Sequence, residues 1–396
     1  MAATTDKNPV STTTDSLDTS EISSPSDNFH HVRRGEDAGN LSVAESIDGY
    51  DAERMRARTA LTAEEEKKLL RRIDWHLMPI CSLIFMFKNL DSDNAEAGQF
   101  PGVLLQMTYW LFLIEAIATI LFGVVVWYCM PDFPETASWL TDEEKAFIQA
   151  RLPVNAPRAS EENFKLSEII ESLKDKRLWL FTLIWAFFTV GTSGVRFYQS
   201  TVIANLGFTS IATAQILNIP ITALGLIVIG VTGVFADNGR LPRPLYPLSF
   251  LTIIIACYAV LVVYPSNGAV YAATMIGNAV TAAWFPMMWP WRVQTTSRAT
   301  GSAFSIGFVN SYGQIGGAIG PQLFRSAYAP KYTLSFAVAM ALVGCCMVVT
   351  VITWWVTRKT ESNTRKLKLA RIAAAKKGEA ILDDVVDNDL DGRGRA

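Results

Sequence analysis

Residues 221–264 read ITALGLIVIG VTGVFADNGR LPRPLYPLSF LTIIIACYAV LVVY, which is two apolar runs joined by a short charged turn. A helix needs about 20 apolar residues to cross a membrane core about 30 Å thick, and each run has about that length. The turn carries prolines and charged side chains, which end one helix and lead into the next. The stretch therefore predicts a helical hairpin that crosses a membrane twice.

The composition of the whole chain agrees with this interpretation. Half of the 396 residues are apolar and 18% are charged, whereas soluble domains have about a quarter of their residues charged. The formal net charge of -2 provides no basic field for nucleic acid. The three histidines and five cysteines have no metal-binding or disulfide spacing. We therefore expect a membrane protein that is not an enzyme and has no cofactor, metal site or nucleic-acid partner.

Further apolar runs on both sides of the hairpin predict an all-α polytopic membrane protein with eight spans. The predicted spans are 77–90, 103–130, 178–198, 212–236, 243–264, 269–291, 301–324 and 333–356. This pattern predicts five regions. They are a disordered tail at 1–60, a two-span part at 61–130, a middle loop at 131–177, a six-span part at 178–357 and a C-terminal tail at 358–396.

The distribution of Lys and Arg predicts the orientation, because cytoplasmic flanks carry an excess of both. Bases are frequent in the segment before the first span, in the middle loop and from Arg358 to Lys377. After residue 100, Arg325 and Lys331 are the only bases that fall in predicted outer loops. We therefore predict that both termini and the middle loop are cytoplasmic, in a protein of the plasma membrane.

The charged turn of the hairpin is a candidate gate between helices. Asp237 follows a helix C-terminus, where the helix dipole disfavours a negative charge, so it needs a positive partner. Arg240, Arg243 or the start of the helix near Thr300 could supply it. An ordinary cytoplasmic turn is the alternative. The gate candidates are Gly233, Asp237, Gly239, Arg240 and Arg243.

Polar side chains at membrane depth are the candidates for a binding site. An arginine near the outer end of a span could attract a carboxylate, or it could extend to the outer interface. Amides within spans could contact a substrate or make hydrogen bonds between helices. The substrate-binding candidates are Arg196, Tyr198, Gln199, Asn278, Trp284, Asn310 and Gln314.

Several stretches carry a resemblance to a known family. The turn at 233–243 is similar to the loop motif of the major facilitator superfamily, in the copy that lies in the second six-helix half. Together with several other stretches, this turn resembles the fungal allantoate permease family of organic-anion symporters, over about residues 61 to 370. The stretches that resemble that branch are 72–79, 90–94, 96–102, 110–115, 131–136, 139–140, 207–209 and 215–220.

The resemblance implies a major-facilitator-like bundle that carries a small organic anion together with protons. The family's substrates suggest a carboxylate such as allantoate, nicotinate or pantothenate. Glu115 is then a candidate for proton coupling, although the matching motif places it near the outer end of its helix. The implied partners are the carboxylate, protons and the lipid bilayer.

The chain departs from the family pattern at two places in its first part. Asn94 and Glu96 are separated by one residue, whereas the corresponding family motifs are separated by two complete helices. Tyr109 and Trp110 similarly join the start of a fourth helix directly to a sixth. The six-helix second half is therefore intact, and about four helices of the first half are missing. The alternative function is a truncated or mis-spliced family member that does not transport.

Overall fold

The computed structural model describes residues 29, 31–34, 52–97, 105–130, 137–151, 166–197, 199, 217–293, 299–325, 328 and 331–382. The helices are α1 (Ala52–Thr59), α2 (Ala63–Ala97), α3 (Leu105–Cys129), α4 (Asp142–Arg151), α5 (Leu166–Lys174), α6 (Lys176–Phe197), α7 (Asn218–Asp237), α8 (Leu245–Val263), α9 (Asn267–Val293), α10 (Ala299–Ile319) and α11 (Thr333–Lys377). A 3₁₀ turn, Gly320–Leu323, follows α10, and two short strands, β1 (His31–Arg33) and β2 (Glu379–Ile381), pair with each other.

Two helices begin at capping boxes that are visible in the sequence. Before α2, the Glu65 amide donates to the Thr62 hydroxyl over 3.4 Å, and the Thr62 amide donates to the Glu65 carboxylate over 3.0 Å. Thr141 and Glu144 repeat the arrangement before α4, at 3.3 and 3.0 Å. These reciprocal bonds satisfy amides that a helix start would otherwise leave unpaired, and they fix where each helix begins.

The core lies among helices α6 to α11. Helix α6 packs against α10 and α11, α8 packs against α9 and α11, and α9 packs against α7. The largest side chains in this core are almost fully buried: Trp185, Trp284, Trp291, Arg292, Phe181, Phe188, Phe324, Ile184, Leu251 and Ile254. The predicted six-span part is therefore a contiguous six-helix bundle.

Glycines bring α6 and α10 into close contact. A Cβ added to Gly316 would lie 2.5 Å from the carbonyl carbon of Thr189 in α6, and one added to Gly313 would lie 2.9 Å from the ring of Trp185. By contrast, a Cβ on Gly307 or Gly317 would meet no atom within 4 Å among the residues described. One side of α10 is thus in close contact with α6, and the other side is open among the described residues.

We expect Gly316→Val to prevent stable packing of the six-helix bundle, and Gly317→Val to have little effect. The added side chain at Gly316 would clash with the backbone of Thr189, and no rotamer change relieves such a clash. The free energy of unfolding should therefore fall by about 1–3 kcal/mol or more. Thermal unfolding of the two purified variants in detergent measures the difference. Equal unfolding temperatures for the two variants would contradict the close packing of α6 and α10.

Each of the eight predicted spans lies at least largely within a helix of the structure. Within the described residues, four helices are long and apolar enough to cross a membrane by length and composition, namely α6, α7, α8 and α11. Helix α3 has a shorter apolar segment, Ala116–Cys129. Helices α9 and α10 are more polar because they carry Asn278, Asn310 and Gln314.

Helix α2 is continuous through the Asn94–Glu96 junction, and α3 is continuous through the Tyr109–Trp110 junction.

The N-terminal segment predicted to be disordered contains a strand and a helix, which differs from the sequence-based prediction, and the predicted C-terminal tail also contains regular elements. Strand β1 and helix α1 lie within 1–60, and α11 continues past 357 as far as Lys377 before β2 begins. Val32 and Met55 are 6% and 1% exposed, so the N-terminal segment buries apolar side chains against other parts of the chain. Residues 1–28, 30, 35–51 and 383–396 lie outside the described part of the chain.

Candidate functional site

An aromatic cluster joins α6 and α9 at the centre of the six-helix bundle. Trp284 stacks on Phe188 with ring centroids 3.7 Å apart and planes 11° apart. Trp185 contacts Trp284 and Trp289, each at 5.3 Å between centroids. The predicted binding residue Trp284 is therefore fully buried. Its indole nitrogen has no hydrogen-bond partner among the described residues.

A buried arginine lies beside this cluster, near the end of α9. Arg292 is 1% exposed, and its guanidinium carbon lies 4.9 Å from the ring centroid of Trp289 and 5.5 Å from that of Trp185. It also donates a hydrogen bond to the Ser305 carbonyl of α10. Arg292 directly follows the predicted span 269–291, so the excess of bases on cytoplasmic flanks predicts it to be a cytoplasmic flanking charge. The structure instead places it inside the bundle, where it connects α9 to α6 and α10.

Sequence reasoning missed Trp185, Phe188 and Arg292 as members of this cluster. The sequence does carry a signal, because residues 284–291 read WFPMMWPW. This density of aromatic side chains within two helical turns favours a packed aromatic centre. Nothing in the sequence indicates that the next residue, Arg292, is buried against it, because that depends on where α6 and α10 lie.

Two of the predicted binding residues lie on the open side of α10. Asn310 and Gln314, one helical turn apart, are both exposed, and Gly307 and Gly317 continue the same side. Neither amide makes a hydrogen bond to another helix within the described residues. This side of α10 therefore presents amides and glycines away from α6, which is typical of a helix that lines a cavity.

The other predicted binding residues are more dispersed. Arg196 is exposed near the end of α6, Gln199 is half-buried, and Tyr198 lies outside the described residues. Asn278 is half-buried on α9, and its amide nitrogen has no hydrogen-bond partner among the described residues. Glu115 lies in α3, with its side chain outside the described part. The structure thus places the candidates on three helices of the bundle and on α3.

The candidate gate loop between α7 and α8 contacts the extended end of α11. The Asp237 carboxylate lies 3.7 Å from the Lys368 ammonium group. Gly239 has a φ of +66°, and a Cβ there would lie 3.6 Å from a methyl carbon of Leu369. Glycine adopts this left-handed conformation at little cost, which explains its place in the turn. Lys368 is thus a partner of Asp237 that the sequence analysis did not consider.

Arg243 adds a second contact between this loop and α11. Its backbone amide donates to the Glu361 carboxylate over 3.1 Å, and Glu361 is 6% exposed. Burial lowers the pKa of the Arg243 side chain, while the charges of Asp237 and Glu361 act in the opposite direction. Of the other gate candidates, Arg240 is exposed and Gly233 lies within α7. The candidate gate is therefore a contact between the loop and α11.

The start of α10, a predicted alternative partner of Asp237, is instead contacted by the middle loop. The Gly301 amide, in the first turn of α10, donates to the Glu168 carboxylate of α5 over 3.3 Å. Glu168 is 8% exposed, and a carboxylate is favoured at a helix N-terminus by the unpaired amides and the helix dipole. This contact holds the amphipathic helix α5 against the bundle.

Comparison with known proteins defines the class to which this helical membrane protein belongs. The sequence profile of the Major Facilitator Superfamily matches residues 98–321, which is more than half of the chain. The chain therefore belongs to the major facilitator superfamily. This membership confirms the all-α membrane fold and the prediction that the chain is not an enzyme. Among the described residues, no group of His, Cys, Asp and Glu could hold a metal ion.

Similar proteins come from fungi. The MFS-type transporter cnsO of Penicillium expansum is 29% identical over 307 residues, covering 70% of this chain and 58% of that protein. The allantoate permease of Saccharomyces cerevisiae is 28% identical over 261 residues, covering 61% of this chain and 45% of that protein. The major facilitator-type transporter hxnP of Emericella nidulans is 24% identical over 282 residues, covering 69% and 56%. The chain spans about half the length of the relatives it matches.

Proposed function

We propose that the chain is a member of the organic-anion branch of the superfamily, built to carry a small carboxylate across the plasma membrane together with protons. Allantoate, nicotinate and pantothenate are the candidate substrates. The similarity to an allantoate permease supports the substrate class. The open side of α10 is the observation that carries the proposal, because polar groups at membrane depth require either a water-filled cavity or another polar partner.

An exposed positive charge on α6 suits an anionic substrate. Arg196 is exposed near the end of α6, where a guanidinium can make a two-point contact with a carboxylate. Asn310 and Gln314 would supply hydrogen bonds to the remainder of the substrate. Glu115 is the proposed proton-coupling group. Uptake of labelled allantoate, nicotinate and pantothenate, measured with and without a proton gradient, tests this function.

The contacts between distant segments support the proposed arrangement of eight spans with both termini cytoplasmic. Strands β1 and β2 are hydrogen-bonded, so the two tails lie on one side of any membrane and the number of crossings is even. Helix α1 packs on α4, and α5 contacts the start of α10, which brings the middle loop to that same side. Two contacts lie on the opposite side. The Lys331 ammonium group lies over the Tyr264 ring, and the Tyr271 hydroxyl donates a hydrogen bond to the Leu217 carbonyl.

We expect reporter fusions after Asn40 and at Ala396 to read cytoplasmic, and one after Asn267 to read exterior. The physical reason is the excess of Lys and Arg on the proposed cytoplasmic side. Paired phosphatase and fluorescent-protein fusions measure each position. An exterior signal at Ala396 would contradict the arrangement, because the eight Lys and Arg residues between Arg358 and Lys377 would then have crossed the bilayer.

A non-transporting family member is the second candidate function. It is favoured by α2 and α3, which pack against each other and, within the described residues, make no extensive packing with α6 to α11. Each of these two helices is continuous through its junction. With two spans in place of six, one wall of a central cavity would be largely absent.

A further inference from the structure

A short antiparallel sheet joins an N-terminal segment, residues 31–33, to a C-terminal segment, residues 379–381. The register pairs His31 with Ile381, Val32 with Ala380 and Arg33 with Glu379. The Arg34 amide adds a hydrogen bond of 3.2 Å to the Gly378 carbonyl. Gly378, with a φ of +76°, ends α11 and turns the chain into β2. The N-terminal segment is thereby attached to the far end of α11.

This sheet is backed by buried apolar side chains. Val32 and Ala380 face each other in the register and are 6% and 9% exposed. Ile381 packs with Leu367 and Ala374 of α11 and with Phe29. Successive strand residues point to opposite faces, so Val32 and Ala380 lie on one face and Ile381 lies on the other, where Arg33 is exposed. Apolar side chains buried on both faces therefore stabilise the strand pair in addition to its few hydrogen bonds.

The same N-terminal segment is also attached to the two-span part and the middle loop. Arg34 forms an ion pair with Glu66 at the start of α2, and their side chains are only 12% and 15% exposed. Glu66 also pairs with Arg151 of α4, at 2.9 Å. One carboxylate of α2 thus connects the N-terminal segment to the middle loop.

Helix α1 makes a parallel connection. It packs on α4, and Arg58, which is 8% exposed, donates to the Leu382 carbonyl just after β2 over 3.1 Å. Helix α1 therefore touches the middle loop on one side and the end of the C-terminal strand on another. Since α2 and α3 lack extensive packing with α6 to α11 among the described residues, these cytoplasmic contacts are a principal link between the two parts.

We propose that β1, α1 and β2 form a clasp that fastens the end of α11 to α2 and α4 and holds the proposed cytoplasmic side closed. The gating consequence rests on the proposed function, because alternating access requires the two parts to separate on that side. Separation moves α11 away from α2 and α4, so it requires either the β1–β2 pair or the contacts of the N-terminal segment with α2 and α4 to break. A pair of three-residue strands is weak enough to open and close reversibly.

A distance measurement tests the clasp directly. Spin labels are attached through p-acetylphenylalanine at Lys68 of α2 and Lys359 of α11, both exposed, in the full chain reconstituted in lipid nanodiscs. We expect a single narrow distance distribution, which broadens in Val32→Asp because a carboxylate replaces a buried side chain of β1. The matched control, Arg33→Thr, changes the exposed face of the same strand and should leave the distribution narrow. An unchanged distribution in Val32→Asp would overturn the proposal.

A cross-link provides a second measurement that does not depend on the folding of Val32→Asp. Val32→Cys with Ala380→Cys places two thiols at directly opposed positions, where mild oxidation should join them in most chains. Val32→Cys with Ala373→Cys, an exposed position on α11, is the control and should remain largely unjoined. Failure of the first pair to join in folded protein would also overturn the proposal. Neither measurement involves transport, so a chain without uptake can still have the clasp, and a transporting chain can lack it.

Discussion

Cells that express the 396-residue chain are expected to show no saturable uptake of labelled allantoate, nicotinate or pantothenate. A longer form that restores the helices between Asn94 and Glu96, and between Tyr109 and Trp110, is expected to transport one of these carboxylates. The physical reason is that alternating access needs two bundles that rock around a shared site. In the proposed arrangement of the 396-residue chain, two spans face six.

Two helix surfaces that a complete transporter would cover are exposed in the structure. The side of α10 with Asn310 and Gln314 is exposed, and α3 exposes Trp110 and Trp127 at 62% and 83%. An apolar helix such as α3 is compatible with lipid, whereas the amide side of α10 is not compatible without water or a polar partner. We expect the helices of the restored form to supply that partner and to enclose the substrate.

The comparison is made at equal levels of each protein in the membrane, with and without a proton gradient. The restored form should show uptake that saturates with substrate and collapses with the gradient, and the short form should match cells without either protein. Saturable, proton-dependent uptake by the short form would show that two spans in the first part are sufficient for transport. It would also rule out the second candidate function, a family member that does not transport. Absence of uptake by a correctly inserted restored form, for all three substrates, would count against the proposed substrate class.

Asp237→Asn in the restored form is expected to reduce uptake by at least about five-fold while leaving membrane insertion intact. This corresponds to the lower end of the 1–3 kcal/mol over which coupled conformations are usually biased. Asp237 is 89% exposed in its side chain, so its pair with Lys368 adds at most about 1 kcal/mol to stability. The expected effect is therefore on the balance between conformations and not on folding.

The loop geometry explains why this one charge matters. Arg243 is partly buried beside α11, and burial lowers the pKa of its side chain, while the charges of Asp237 and Glu361 favour its protonated form. Removing the charge of Asp237 leaves Glu361 as the remaining carboxylate of the two. The loop would then be held to α11 less strongly, and the conformation in which they touch would be less populated.

Two controls separate this gate from a general effect of charge. Asp142→Asn removes an aspartate that is equally exposed, on α4, where it pairs with Lys145 at 3.4 Å, and it should not change uptake. Exchanging the charges, with Asp237→Lys and Lys368→Asp together, should recover part of the lost activity. Recovery should be partial, because Arg243 would then face a lysine. Unchanged uptake kinetics in Asp237→Asn would remove the gate role from this loop.

The helices and their starts were predictable because the signals are local. A capping box such as Thr62 to Glu65 places donor and acceptor within one helical turn, so four letters of sequence suffice to predict it. The apolar runs were equally clear, since each span needs only its own length of apolar residues to be favourable in a membrane. The family likewise follows from short motifs, and the profile match to residues 98–321 confirmed it.

The N-terminal strand was not predictable in the same way. Val32 lies in a stretch rich in polar residues, and its burial depends on Ala380, almost 350 positions later in the chain. The partner of Asp237 had the same difficulty, because Lys368 becomes a neighbour only if α11 continues beyond the membrane. The composition of a segment indicates how much apolar surface that segment could bury. It does not indicate which distant segment will pack against it, and both the Val32–Ala380 and the Asp237–Lys368 contacts join distant segments.

By itself, the sequence determined the class of this protein and where its apolar helices lie, and it predicted candidate residues for contact with an anion. Those properties depend on apolar length, helix capping and short motifs, all of which act over a few helical turns. The tertiary structure alone decided that Arg292 is buried among tryptophans, that Asn310 and Gln314 lie on the open side of α10, and that the two tails meet. Each of these features depends on which helices lie side by side. The packing of the whole bundle sets this arrangement, because a single glycine such as Gly316 fixes how closely two helices approach.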